Sequence, residues 1–104
     1  MLTALDDEPT VQPSDIGYYL GDTAVDIAML VADKRIDYGP HAITSAPGGP
    51  LNGIHVRLHD KLQRAIHLAG GGQPAKFETV RDTYVDIAGY ALIALAVLDG
   101  AWTA

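Results

Sequence analysis

Two nine-residue segments, which lie sixty residues apart in this 104-residue chain, have nearly the same sequence. The first is DTAVDIAML, at residues 22–30, and the second is DTYVDIAGY, at residues 82–90. Each sets two carboxylates four residues apart among Val, Ile and Ala, and at helical spacing such carboxylates share one stripe. The pattern predicts two similar amphipathic helices. Duplication of one helix and chance similarity between two helices both remain possible origins.

Apolar residues recur at helical spacing along three long segments, and no segment of useful length alternates as a strand does. The predicted helices run from Ser14 to about Asp37, from Leu51 or Asn52 to Ala69, and from Phe77 or Glu78 to Leu98. The sequence therefore predicts an all-α fold, a compact bundle of three main helices. Residues 1–13 are interpreted as a loosely ordered acidic lead-in and residues 14–104 as a single helical domain, with a long loop of open role at residues 39–53.

Helical wheels predict which faces form the core. In the first helix the expected core residues are Leu20, Ala24, Ile27 and Val31, opposite Asp22, Asp26 and Asp33. In the second helix they are Ile54, Leu58, Leu62, Ala65, Ile66 and Ala69. Beyond Asp86 the third helix is apolar all round, which is typical of a helix that is central in a bundle or covered by a partner chain. So much apolar surface predicts a homo-oligomer that completes the bundle.

The balance of charges limits the possible ligands. Seven Lys and Arg against thirteen Asp and Glu give a net charge of −6. A nucleic acid duplex requires a basic face, so we do not expect a duplex as a partner. A small phosphorylated ligand needs only a few local cations and remains compatible with this composition.

Other classes of protein are disfavoured by what the sequence lacks. The chain has no cysteine, which excludes disulfides, thiolate-bound zinc and a cysteine nucleophile. No apolar run reaches the ~18–20 residues of a membrane span. The acidic start MLTALDDEPT lacks the basic region of a signal peptide. We therefore expect a cytoplasmic protein that makes no contact with a membrane.

Three of the cations lie on one face of the second predicted helix. Arg57, Lys61 and Arg64 are spaced for a phosphate clamp, since guanidinium groups grip phosphate oxygens through two hydrogen bonds. The same residues could instead form an ordinary solvated face in which Asp60 pairs with them. Tyr38 and Tyr90 could stack on a base, or could equally belong to the core.

The carboxylates Glu78, Asp82 and Asp86 form one stripe of the third predicted helix. Asp86 lies where that helix becomes apolar, so it should have a partner: a cation of the second helix, a metal ion or a tyrosine hydroxyl. Acidic residues on two helices could hold a hard divalent cation, which prefers oxygen ligands. The four histidines form no convincing ligand set, because the HExxH pattern is absent.

Three ordered motifs lie between Asp37 and Ala91, within a region of similarity that covers about residues 33–99. They are Asp37-Tyr38-Gly39, Gly53-Ile54-x-x-Arg57-x-x-Asp60-Lys61-x-x-Arg64, and Glu78-Thr79-x-x-Asp82-Thr83-x-x-Asp86-Ile87-Ala88-Gly89-Tyr90-Ala91. These motifs resemble the nucleotide modification associated domain family 1, small helical proteins common in phages and prophages. More distantly the chain is similar to the MazG-type all-α nucleoside triphosphate pyrophosphatases, which hold Mg²⁺ with acidic residues of neighbouring helices. It departs from that pattern because its first helix lacks an ExxE pair and offers Asp22 and Asp26 instead.

The resemblance implies a role connected with nucleotides in a bacterial host cell. We expect a phage protein that binds a nucleotide or nucleotide-derived small molecule, with no cofactor required, and sequesters a nucleotide signal against host defence. The expected ligand contacts are Arg57, Lys61 and Arg64 for phosphate and Tyr38 and Tyr90 for base or ribose. The alternative is a Mg²⁺-dependent nucleotide pyrophosphohydrolase, whose metal ligands would be Glu78, Asp82, Asp86 and Asp60. A subunit of a larger nucleotide-modifying assembly is a third possibility.

Overall fold

The computed structural model describes residues 13–71 and 75–103. A 3-10 turn, Pro13–Asp15, precedes four helices: α1 (Ile16–Tyr38), α2 (His41–Thr44), α3 (Pro50–Ala69) and α4 (Val80–Leu98). The described residues contain no strand, and the three long helices pack together, which confirms the predicted all-α fold with three main helices. Apart from Pro13, the predicted lead-in at residues 1–13 lies outside the described residues. None of the described helices combines the length and apolar character that a membrane crossing requires.

The main helices begin close to the predicted positions, with differences that have local causes. α1 begins after the 3-10 turn rather than at Ser14. α3 begins at Pro50, because proline at the first helical position loses no hydrogen bond. The expectation that residues 39–53 are loop throughout is wrong, since this segment contains α2 and the start of α3.

A capping box fixes the start of α4. The backbone N–H of Asp82 donates to Thr79 Oγ1 at 3.0 Å, and the backbone N–H of Thr79 donates to Asp82 Oδ2 at 3.1 Å. These two bonds satisfy donors that a helix N-terminus otherwise leaves unpaired. The helix therefore starts at Val80. The predicted start at Phe77 or Glu78 was two to three residues early.

α4 is the central helix, since both α1 and α3 pack against it. Gly89 is buried in the contact with α1, where an added Cβ would lie 3.2 Å from Val31 Cγ2. Glycine at this position lets the two helices approach closely. The opening that remains between α1 and α3 forms the cavity described below.

The packed face of α1 differs from the one expected. Ile27 is buried and Val31 half-buried, but Leu20 and Ala24 are exposed, so the expectation for these two was wrong. Asp26, expected to be fully solvated, is half-buried. α1 packs mainly against α4, and the orientation of that contact sets which face is covered.

The packed face of α3 is also rotated. Ile54 and Ala65 are fully buried, as expected, and Leu58 is half-buried. Three further predicted core residues are exposed: Leu62, Ile66 and Ala69. The rotation turns Arg57 and Lys61 from the solvent towards the other helices, which makes them half-buried.

The two similar segments place their threonines on packed faces with different surroundings. Thr83 is fully buried, and its hydroxyl donates to Glu78 Oε2 at 2.6 Å. The hydroxyl oxygen of Thr23 is buried without a hydrogen-bond partner among the described residues. The similarity in sequence therefore does not extend to the hydrogen bonds.

This difference predicts opposite effects of the same substitution. Thr83→Val should lower the free energy of unfolding by about 1–3 kcal/mol, because it removes a buried hydrogen bond. Thr23→Val should leave it unchanged or raise it by up to about 1 kcal/mol, because it removes an unpaired buried hydroxyl. Urea unfolding of both variants measures the two changes. Equal losses of stability in the two variants would contradict the difference in hydrogen bonding between Thr83 and Thr23.

Candidate anion-binding site

A cavity of about 400 Å³ lies between α1, α3 and α4. Its size falls within the range of small-molecule sites in proteins. Apolar side chains such as Ile27, Ile43 and Ile93 line its inner wall. Trp102, which follows α4, also lines the cavity.

Four of the seven Lys and Arg residues of the chain line this cavity. α1 contributes Lys34 and Arg35, and α3 contributes Arg57 and Lys61. The one acidic residue in the lining is Asp86 of α4. A chain with a net charge of −6 therefore concentrates positive charge in one place, which favours an anionic ligand.

The two arginines of the cavity are held by aromatic rings. The guanidinium carbon of Arg35 lies 4.8 Å from the ring centroid of Trp102, and that of Arg57 lies 5.9 Å from the ring centroid of Tyr90. Arg35 also donates to the carbonyl of Thr103. Within the described residues neither arginine forms an ion pair with a carboxylate. Rings and carbonyls position these charges without neutralising them, so both remain available to an anion.

Lys61 is bound more tightly by the protein itself. Its Nζ lies 2.8 Å from Asp86 Oδ2 and 2.9 Å from Glu78 Oε1, and its side chain is 18% exposed. Burial acts to lower the pKa of Lys61, but the hydrogen bonds to Asp86 and Glu78 outweigh it and raise that pKa above its usual value. Asp86 also lies 3.6 Å from Lys34 Nζ. Asp86 was expected to have a partner. That partner is Lys61 of α3, and Lys34 of α1 adds a weaker contact.

The predicted clamp on α3 is divided by the structure. Arg57 and Lys61 line the cavity, whereas Arg64 does not. Arg64 Nη1 lies 3.0 Å from Glu78 Oε1, and the side chain is half exposed. Arg64 therefore stabilises the start of α4 from outside the cavity.

The aromatic residues Tyr38 and Tyr90, expected to meet a base or ribose, both line the cavity. The structure adds Trp102, whose Nε1 donates to the carbonyl of Pro40 at 3.3 Å. The helical spacing of apolar residues could not indicate Trp102, because this residue lies beyond the last helix. The turn at Gly100, with φ of 73°, directs the chain back towards α1 and α2.

Lys34 and Arg35 were missed by the sequence analysis. They are neighbours near the end of α1, just before the Asp37-Tyr38-Gly39 motif. That position was the available signal, since residues next to Tyr38 on the same helix end share its surroundings. Charge spacing within one helix could not reveal a site built from two.

The predicted acidic residues do not gather into one group in the structure. Glu78 and Asp86 contact Lys61, Asp82 accepts the capping bond from Thr79, and Asp60 is exposed. The backbone and side chain of Thr79 lower the pKa of Asp82. Among the described residues no group of three or more His, Asp or Glu side chains is placed to hold a metal ion. Glu78, Asp82 and Asp86 therefore bind other groups of the same chain.

The lowered pKa of Glu78 predicts how the stability of the protein depends on pH. The hydroxyl of Thr83, then Lys61 and Arg64, lower its pKa to about 2 from an ordinary value of 4.5. A carboxyl group with a lowered folded-state pKa stabilises the fold above its unfolded pKa and loses that contribution as the pH falls through the folded pKa. We expect Glu78 to contribute about 2–3 kcal/mol at pH 6, lost between about pH 5 and pH 2.

Urea unfolding at several pH values measures this contribution. Glu78→Gln should lower stability at pH 6 and flatten its decline towards pH 2. Asp60→Asn, at an exposed position of α3, is the matched control and should follow the wild type. A Glu78→Gln variant with the wild-type slope would show that other carboxylates govern acid unfolding.

Comparison of the chain with protein-family models, with curated proteins and with solved structures finds no match. The resemblance to the nucleotide modification associated domain family 1 therefore rests on the three motifs quoted above.

Proposed function

We propose that this protein binds a nucleotide or nucleotide-derived small molecule in the cavity between α1, α3 and α4. The observation that carries the proposal is the lining: four cations and three aromatic rings surround one cavity of an acidic chain. Cations suit phosphate oxygens, and aromatic rings suit the face of a base. A nucleotide joins both chemistries in a molecule of this size.

The roles of the side chains follow from how each is held. Arg35 and Arg57, which no described carboxylate neutralises, bind the phosphate oxygens most strongly. Lys34, whose side chain is 46% exposed, adds a further positive charge. Lys61 supports the site through its contacts with Asp86 and Glu78. The base lies against the rings of Tyr38, Tyr90 or Trp102.

Sequestration is the biochemical role that we favour. Glu78 and Asp86 contact Lys61, and Asp82 caps α4, so these carboxylates already have partners within the chain. A binding protein of this kind, in a phage and acting in the cytoplasm of the bacterial host cell, would withdraw a nucleotide signal from host defence. The motif resemblance supports that setting.

A thermal-shift screen tests the proposal. Mono-, di- and triphosphates and cyclic nucleotides are added in EDTA and in Mg²⁺, with nucleosides and inorganic phosphate as matched controls. We expect a nucleotide to raise the melting temperature in EDTA. Each control should raise it less, because a nucleoside lacks the phosphate and inorganic phosphate lacks the base. A screen in which no nucleotide exceeds inorganic phosphate would contradict the proposal.

The fate of the bound ligand distinguishes binding from hydrolysis. We expect chromatography to recover the nucleotide intact after incubation with Mg²⁺ and release by heat. Mg²⁺-dependent formation of monophosphate and pyrophosphate would instead establish the pyrophosphohydrolase. The acidic residues would then have to leave their present partners to bind the metal.

A further inference from the structure

α4 carries a row of residues, exposed except for the half-buried Ala88, on the side away from α1 and α3. The row repeats at intervals of three and four residues and consists of Arg81, Tyr84, Ala88, Ala91, Leu95 and Leu98. The large apolar members are exposed: Tyr84 by 56%, Leu95 by 56% and Leu98 by 65%. This alternating spacing is the one that packs two helices together in a coiled coil. α4 thus has two sides covered within the chain and a third side patterned for another helix.

The charges of α4 indicate the direction in which such a helix would run. Arg81 begins the row, and Asp99 follows its last member. Both are exposed, and neither forms an ion pair within the described residues. Two copies of α4 in parallel would bring like charges together at each end. Two antiparallel copies would place each Arg81 beside the partner's Asp99.

The sizes of the side chains agree with the antiparallel arrangement. When Tyr84 meets the partner's Leu95, Arg81 lies opposite the partner's Leu98, one residue from Asp99. Ala88 then meets the partner's Ala91 at the centre. Small residues in the middle let the two helices approach closely, and large residues fill both ends. The row is therefore complementary to itself, as a two-fold interface requires.

We propose that the protein forms a homodimer in which the two α4 helices pair antiparallel through this row. A second exposed apolar face, on α1, is less suitable. On α1, Tyr18, Val25 and Met29 are exposed, but Asp22 and Asp33 lie beside them. Pairing of two α1 helices would oppose carboxylates in either direction, which costs stability. The proposal is independent of the ligand, because the row lies outside the cavity lining.

The mass of the protein in solution tests the interface. Light scattering after size exclusion should give two chains for the wild type. Leu95→Glu should give one chain with unchanged helical circular dichroism, because the residue is exposed in the isolated chain. Met29→Glu, the matched change on α1, should remain a dimer. A wild-type mass other than two chains, a dimeric Leu95→Glu or a monomeric Met29→Glu overturns the proposal.

Cysteine cross-linking tests the direction, since the chain has no cysteine of its own. Tyr84→Cys with Leu95→Cys in one chain should form covalent dimers under mild oxidation. Each single variant should not, because equivalent positions in the antiparallel pair are about 16 Å apart along the helices, beyond the reach of a disulfide. Cross-linking of either single variant indicates parallel pairing and overturns the proposal. Absence of cross-linking in the double variant also overturns it.

Discussion

Replacing Arg35 and Arg57 together by Ala is expected to weaken nucleotide binding by at least a hundredfold. Each arginine should contribute a charge-assisted contact of about 1.5–3 kcal/mol to the bound phosphate. Because neither forms an ion pair within the described residues, their removal leaves no described carboxylate without its partner. The melting temperature without ligand should change little. Titration calorimetry on the folded variants measures the loss.

A control variant distinguishes binding in the cavity from attraction by positive charge elsewhere on the protein. Arg64→Ala removes the same type of side chain from the same helix as Arg57, but from outside the cavity. We expect its affinity to lie within about threefold of the wild type, since long-range attraction is screened by salt. Equal losses for Arg57→Ala and Arg64→Ala would favour a diffuse electrostatic attraction over a defined site.

Asp86→Ala is expected to lower the free energy of unfolding by about 2–3 kcal/mol. The substitution removes the nearest carboxylate of Lys61, whose side chain is largely buried and keeps Glu78 as a single acidic partner. A mostly buried charge that loses a partner is costly, and the weaker contact to Lys34 is lost as well. Urea unfolding at pH 7 measures the change.

The single variant Lys61→Met and the double variant Asp86→Ala with Lys61→Met complete the double-mutant cycle. Removing both charges avoids a stranded cation, so the double variant should be more stable than Asp86→Ala alone. Purely additive losses would mean that Asp86 stabilises the fold through packing and not through its ion pair with Lys61.

The helices were predictable because their signals are local. Spacing of apolar residues, Pro50 at the start of α3 and Gly100 after α4 each act over a few residues, and the ends of the long helices fell within about three residues of expectation. The packed faces were less predictable. Leu20 and Leu62 have the spacing of core residues, but the side of a helix that becomes covered depends on where its neighbour lies.

The candidate site was predictable in part for the same reason. Arg57 and Lys61 stand out within one helix, and Tyr38 within one motif. Arg35 and Trp102 become neighbours only when the chain after α4 folds back onto α1, across more than sixty intervening positions. A pattern confined to one helix contains no information about that contact.

The single tryptophan of the chain offers the most direct test of the proposed site, because Trp102 lines the cavity. The nucleotide found in the screen is titrated into the protein while tryptophan fluorescence is recorded. The fluorescence should change saturably, and the dissociation constant from this curve should equal the one measured by calorimetry. The Arg57→Ala variant should require at least about tenfold more nucleotide for the same change, in line with the loss of one charge-assisted contact. Calorimetric binding that leaves the fluorescence of Trp102 unchanged would place the ligand elsewhere and contradict the account.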